Sequence, residues 1–226
     1  MSTKTAGRQI SRQKARAKAK RRRSRRAPVG WIAFAVVAAA AMVAVVVTSG
    51  GDGTGGSAFG SDVSVTGEAL PDFPSGGAPD PAAGALAPEL RGTTFEGDAI
   101  AITRAGTPKM IMFIAHWCHV CQKEVPVVQA WLAEKGAPAG IEVVSVSTSV
   151  SETRGNFPPK AWLEREGWTV PVLADDESST ALGAYGMSSF PAFVFLDARG
   201  RVAARAVGAL PVATIEQFIE QAKAAA

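Results

Sequence analysis

The chain has 226 residues, of which 47% are hydrophobic, 19% charged and two are cysteine; this is too apolar for a disordered protein and too poor in cysteine for a disulfide-stapled scaffold. Half of the 24 Lys and Arg residues, 12 in number, fall in residues 1–26, where there is no Asp or Glu, so the formal +4 hides a remainder with 12 basic and 20 acidic groups, a net of −8. The basic character belongs to one tail and gives no support to a nucleic-acid-binding folded domain, so no nucleic-acid partner is expected.

Residues 1–28 read as a basic cytoplasmic tail ending in KAKRRRSRRAP. The run from Val29 to Val47 holds 19 uncharged, mostly Ala and Val residues, which as a helix reach about 28 Å, close to a hydrocarbon core of about 30 Å. A transmembrane helix is therefore expected over 29–48, inside the lipid bilayer, with the basic flank held in the cytoplasm and everything after it outside. The run is longer than the apolar segment of a cleaved secretory signal, although cleavage is left open. A lipoprotein anchor is excluded, because no cysteine follows until Cys118. Residues 49–85 contain ten Gly, four Pro and five Ser without lasting periodicity and read as a flexible tether.

Residues 86–226 are enough for one folded domain. Met110 to Ile114 and Ile141 to Val146 are apolar runs of strand length, and the segment His119 to Lys135 between them has helical spacing of Val125, Val128, Trp131 and Leu132. Strand, helix and strand in that order predict a parallel βαβ unit. A helix is expected over Pro158 to Glu166, a strand over Val170 to Ala174 and a short helix over Asp175 to Tyr185. Ala192 to Leu196 and Arg201 to Val207 flank a turn, Asp197-Ala198-Arg199-Gly200, which predicts an antiparallel hairpin. An amphipathic helix from Val212 to Ala224 closes an α/β domain, a mixed central sheet flanked by helices.

Both cysteines and both histidines of the chain lie in Ile114-Ala115-His116-Trp117-Cys118-His119-Val120-Cys121. At the end of a strand and the start of a helix, Cys118 lies near free backbone N–H groups and the positive end of the helix dipole, which favour a thiolate. Cys121, one turn on, is placed to attack a mixed disulfide formed at Cys118 and release the substrate. A metal centre competes for these residues. However, a contiguous stretch turning from strand to helix cannot easily aim His116, Cys118, His119 and Cys121 at one point, and no other His or Cys completes a shell. Covalent haem attachment fails because Gln122 follows Cys121. No metal and no cofactor are expected.

Taken in order, the strand followed by Trp117-Cys118-x-x-Cys121, then Glu124 and Pro126, then Ser189-Phe190-Pro191-Ala192-Phe193-Val194-Phe195-Leu196-Asp197 and Gly200 resemble the TlpA/ResA family of membrane-anchored thioredoxin-like proteins, from about Ala87 to the carboxyl terminus. The resemblance implies a thioredoxin-like fold and a redox disulfide between Cys118 and Cys121. It implies a cis-proline at Pro191 facing the thiols, with Phe190 lending its backbone to a substrate peptide. It gives Glu124 the role of tuning the thiols and sets Trp117 over the site. Met112 stands where thioredoxin itself has a buried Asp, so general-base help falls to Glu124 or solvent. His119 replaces a proline common in the family; it either stabilises the Cys118 thiolate when protonated or is a solvated residue at the mouth of the site.

The function expected is that of an extracytoplasmic, membrane-anchored thiol-disulfide oxidoreductase that reduces disulfides of exported proteins. Its partners are disulfide-containing exported proteins, such as apocytochromes c during haem attachment, and a membrane donor or acceptor of thiol electrons. The alternatives are an oxidase that donates its disulfide to exported proteins and, from another class, a copper-handling or redox-inactive binding module.

Overall fold

A computed structural model of the chain describes residues 58–60, 62–104 and 106–225. The basic tail at 1–28, the apolar span at 29–48 and the first part of the tether lie outside the described residues. Among those described, no helix is long and apolar enough to cross a membrane.

In chain order the elements are β1 (Ser64–Thr66), β2 (Glu89–Thr93), β3 (Ala99–Ile102), β4 (Lys109–Ile114), α1 (His119–Lys135) and β5 (Glu142–Ser147). There follow α2 (Pro159–Arg165), β6 (Val172–Ala174), α3 (Thr180–Ala184), β7 (Ala192–Leu196), β8 (Val202–Val207) and α4 (Val212–Ala224). The strands form one mixed sheet in the order β1-β2-β6-β5-β4-β7-β8, with β3 paired to β2. β4 runs parallel to β5 and antiparallel to β7, and β7 turns back into β8 as the expected hairpin.

Strand β4, Lys-Met-Ile-Met-Phe-Ile, is buried along its whole length, as is β7, which is why both read as continuous apolar runs rather than alternating ones. Alternation instead sorts their side chains between two cores. Met110, Met112 and Ile114 pack with Val125 and Val128 of α1 and Ile215 and Ile219 of α4. Ile111 and Phe113 face the opposite way, onto Leu182 of α3 and Tyr185.

Helix α1 buries Cys121, Val125, Val128 and Leu132 along one stripe, the spacing that a helix resting on a sheet requires. Pro126 sits inside it, and Gly136 ends it at φ 76°, donating its N–H to Leu132 O, a left-handed turn that glycine takes without steric cost.

The tether expected over 49–85 is corrected in its second half. Residues 64–66 form β1, paired antiparallel to β2, and Val63, Leu70 and Ala82 are buried against the domain. The segment is clamped by Arg205, a buried strand residue that donates to Asp80 Oδ2 at 3.0 Å, Pro71 O at 2.9 Å and Tyr185 O at 2.8 Å. Phe73 N–H also bonds Gly186 O at 2.8 Å; at Gly186 (φ 64°) a Cβ would collide with Pro71 O, so the arm fits because that position is glycine. The folded domain therefore begins near residue 62 rather than 86. β2 and β3 were also not foreseen. Leu90 is the one fully buried side chain of β2 and Ile102 of β3, so neither strand carries a periodic signal.

Candidate functional site

The carboxyl ends of β4 and β5, the amino end of α1 and the loop entering β7 meet at one end of the central strands of the sheet. Cys118 is the N-cap of α1, with extended backbone at φ −72°, ψ 115°. Its sulfur accepts the Cys121 N–H at 3.2 Å, and its thiol donates to Phe190 O at 3.3 Å. Cys118 keeps 8% of its surface exposed and Cys121 none; both are free thiols. Burial pushes the Cys121 thiol far above its ordinary range, and the hydrogen bond and charge of Cys118 push the same way.

Phe190 and Pro191 are joined by a cis peptide bond, as the motif implied, and Pro191 O accepts the Gly208 N–H at 2.8 Å. The Phe190 carbonyl is thus directed at Cys118, while its ring stands edge-on to Trp117 with centroids 5.2 Å apart and planes at 84°. Trp117 is fixed by its indole N–H, which donates to Ser149 O at 2.7 Å.

Glu124 lies one turn beyond Cys121 on the same buried face, 3% exposed. Its carboxylate accepts the Leu210 N–H at 3.0 Å, and among the described residues it has no hydrogen bond to either sulfur. Burial raises its pKa above the ordinary carboxylate range, against the pull of the Leu210 bond. Glu124 therefore ties α1 to the β8–α4 connection, which in turn holds Pro191 through Gly208. His119 is exposed at the first turn of α1.

His116 is fully buried. The Ser151 N–H reaches its Nε2 at 3.1 Å, so Nε2 must be the acceptor. The proton then sits on Nδ1, which donates to Gly155 O at 2.8 Å. The backbone oxygen of His116 takes up Gln122 Nε2 at 3.0 Å and Asn156 Nδ2 at 3.4 Å. Burial holds this imidazole below the usual histidine range; the Gly155 bond opposes that and the charge of Arg154 reinforces it.

The loop that His116 holds, between β5 and α2, was missed in the sequence. It supplies Ser149 O to Trp117 and places the Arg154 guanidinium 4.0 Å above the Trp117 ring. The available signal was the Asn156-Phe157-Pro158-Pro159 run closing an unusually polar stretch, since Ser149 and Asn156 adopt positive φ, a conformation to which Asn is well suited. The structure thus brings Trp117, Cys118, Cys121, Phe190 and Pro191 together, turns Glu124 toward Leu210, and leaves His119 in solvent.

Residues 82–205, more than half of the chain, match the model of the AhpC/TSA family. The chain is similar to the thioredoxin-like protein YneN of Bacillus subtilis, 26% identical over 141 residues that cover 61% of this chain and 78% of the relative. It is also similar to the thiol-disulfide oxidoreductase ResA of Halalkalibacterium halodurans, 22% identical over 130 residues, 57% of this chain and 70% of the relative. Among solved structures, the thioredoxin domain of a thiol-disulfide oxidoreductase from Bacteroides vulgatus shares the fold with a TM-score of 0.50 and 21% identity, over 61% of this chain and 98% of that one.

Proposed function

The chain belongs to the AhpC/TSA family and is a thioredoxin-like thiol-disulfide oxidoreductase; we propose that its redox centre is the Cys118–Cys121 pair and that it reduces disulfides of exported proteins, apocytochromes c among them. The observation that carries this reading is the asymmetry of the two sulfurs. Cys118 is the more accessible one, with 8% of its surface open at a helix N-cap and the Phe190 carbonyl facing it, and Cys121 is sealed 3 residues behind it.

In the proposed reaction the Cys118 thiolate attacks one sulfur of the client disulfide and expels the other as a thiolate. Cys121 then gives up its proton and attacks Cys118 Sγ, which releases the second client thiol and leaves the Cys118–Cys121 disulfide. Two electrons have passed to the client, and a membrane thiol donor must return them. Burial keeps Cys121 protonated until that second step, so the mixed disulfide persists long enough for the client to be held. Phe190 and Trp117 form the client-facing wall. Residues 29–48 anchor the chain in the membrane, with residues 1–28 in the cytoplasm and the domain outside.

Against a copper-handling module, both ring nitrogens of His116 are already engaged with the 151–155 loop, and among the described residues no three His, Cys, Asp or Glu side chains are grouped to hold a metal ion, whereas a shell calls for three or four convergent ligands. A redox titration of the purified chain tests the direction of flow. A single two-electron transition at a potential well below those of oxidising catalysts, near or below about −200 mV, fits a reductant. A potential near −120 mV would mean an oxidase, and the absence of a titrating pair would refute the redox centre.

A further inference from the structure

One cation at the site has no role in the chemistry above. Arg154 lies over the face of Trp117, 4.0 Å from guanidinium carbon to ring centroid. Its side-chain N–H groups have no acceptor among the described residues, and no carboxylate there pairs with it. Lys109, Lys135, Lys160 and Lys223, by contrast, each hold a carboxylate. The one acidic residue of the same loop, exposed Glu152, is not within ion-pair reach.

This arginine is also held in place rather than waving from a loose loop. The turn that carries it is gripped on both sides by the buried His116 ring, through Ser151 N–H and Gly155 O. Its own N–H closes onto Ser151 O at 3.2 Å. Its platform, Trp117, is fixed by Ser149 O and braced edge-on by Phe190, whose carbonyl faces the Cys118 sulfur at 3.3 Å. From the reactive sulfur, then, a continuous run of contacts through Phe190 and Trp117 ends at an unpaired guanidinium. A guanidinium resting on an aromatic face keeps N–H donors that match a carboxylate in a two-pronged pair.

We propose that Arg154, on its Trp117 platform, is the docking group for a carboxylate carried by the client polypeptide within about two residues of the cysteine under attack, a reach set by roughly 3.3 Å per residue of extended chain. The protein thereby selects disulfides with acidic flanks. This rests on the thiol-disulfide reading above and names the client chemistry for that same site. The preference is local: outside its first 26 residues the chain carries a net of −8, so the long-range field disfavours acidic clients and selection comes from contact at Arg154.

The test uses the reduced full-length chain and three capped pentapeptides, acetyl-Ala-Xaa-Cys-Xaa-Ala-amide, with Xaa as Glu, Gln or Lys and the cysteine blocked as a 2-thiopyridyl disulfide. Attack by Cys118 on the peptide sulfur breaks its bond to the pyridyl sulfur and releases pyridine-2-thione, which is followed by absorbance. Cys121 then displaces the peptide thiol, so that the protein dithiol is oxidised by two electrons and each leaving group takes one proton. Each rate is divided by the rate with dithiothreitol, which removes the peptides' intrinsic reactivity.

The expected ratio of the Glu to the Lys peptide is about two- to five-fold for the native chain, the size of an exposed charge contact. Arg154→Gln brings the ratio to about one or slightly below it, Arg154→Glu inverts it, and Arg154→Lys keeps its sign. A general loss of folding would leave every ratio near one, so the inversion in Arg154→Glu and the retained sign in Arg154→Lys separate the contact from it. Equal rates for the three peptides with the native chain, or a ratio unchanged in Arg154→Glu, overturn the proposal. Release no faster than that of Cys118→Ser with every peptide would instead overturn the redox centre, and the docking role with it.

Discussion

The carboxylate of Glu124 accepts the backbone N–H of Leu210 across 86 residues of sequence, at 3.0 Å and in an almost fully buried setting. Burial raises the pKa of this group in the folded state, so the folded protein binds a proton more readily than the unfolded chain. The stability this confers is present below the unfolded value near 4.3 and is lost as pH rises through the higher folded value. Glu124→Gln keeps the acceptor oxygen without the charge. Its urea midpoint should match the native one at pH 4 and exceed it at pH 7. Glu124→Ala orphans the Leu210 N–H and should cost about 1–3 kcal/mol. A Gln variant less stable than the native protein at pH 7 would mean that the charge itself is needed there.

The neutral His116 bracket gives the opposite pH signature. Its folded pKa is depressed, chiefly by burial, so it contributes stability that is fully present above the unfolded value near 6.5 and is lost as pH falls below it, by at most about 1.4 kcal/mol per unit. Protonation of Nε2 would also set a donor against the Ser151 N–H. Urea unfolding of the native chain and His116→Gln between pH 5 and pH 8 should show the native advantage shrinking below pH 6.5. Parallel stability curves for the two proteins would show that His116 does not take up this proton on unfolding.

The asymmetry of the two sulfurs should appear in trapping. Cys121→Ser lacks the group that resolves the intermediate and should accumulate mixed disulfides through Cys118, visible on non-reducing gels. Cys118→Ser should trap none, because Cys121 has no exposed surface. Comparable adducts from both variants would reverse or abolish the assignment.

Asp80 and Arg205 test the amino-terminal boundary. Removing one partner of a buried pair leaves an uncompensated charge, so Asp80→Asn should cost about 3 kcal/mol. The double variant Asp80→Asn with Arg205→Met should recover part of that loss. A chain starting at residue 86 should unfold well before one starting at residue 58, since it lacks Val63, Leu70 and Ala82. Equal midpoints would make residues 62–85 a bystander after all.

The sequence by itself determined the elements whose burial is one-sided or complete. β4 and β7 are unbroken apolar runs, α1 carries a helical stripe, and Asp197 to Gly200 spell a turn; each is a short-range pattern that one core dictates. Cys118 and Cys121 were legible for the same reason, since three residues of helix suffice to place one sulfur behind the other. Tertiary structure alone decided what depends on a partner far along the chain. Arg205 is only one position of the predicted Arg201 to Val207 strand until Asp80, Pro71 and Tyr185 surround it, and only that clamp turns a Gly- and Pro-rich stretch into part of the fold. Glu124 reads as a neighbour of the thiols, yet its hydrogen bond goes to Leu210. His116 and His119 are indistinguishable in the sequence, three positions apart beside the same cysteine. The fold buries the first beneath the Ser151–Gly155 turn and leaves the second in water, because a side chain's donors and acceptors are assigned by whatever the rest of the chain brings to it.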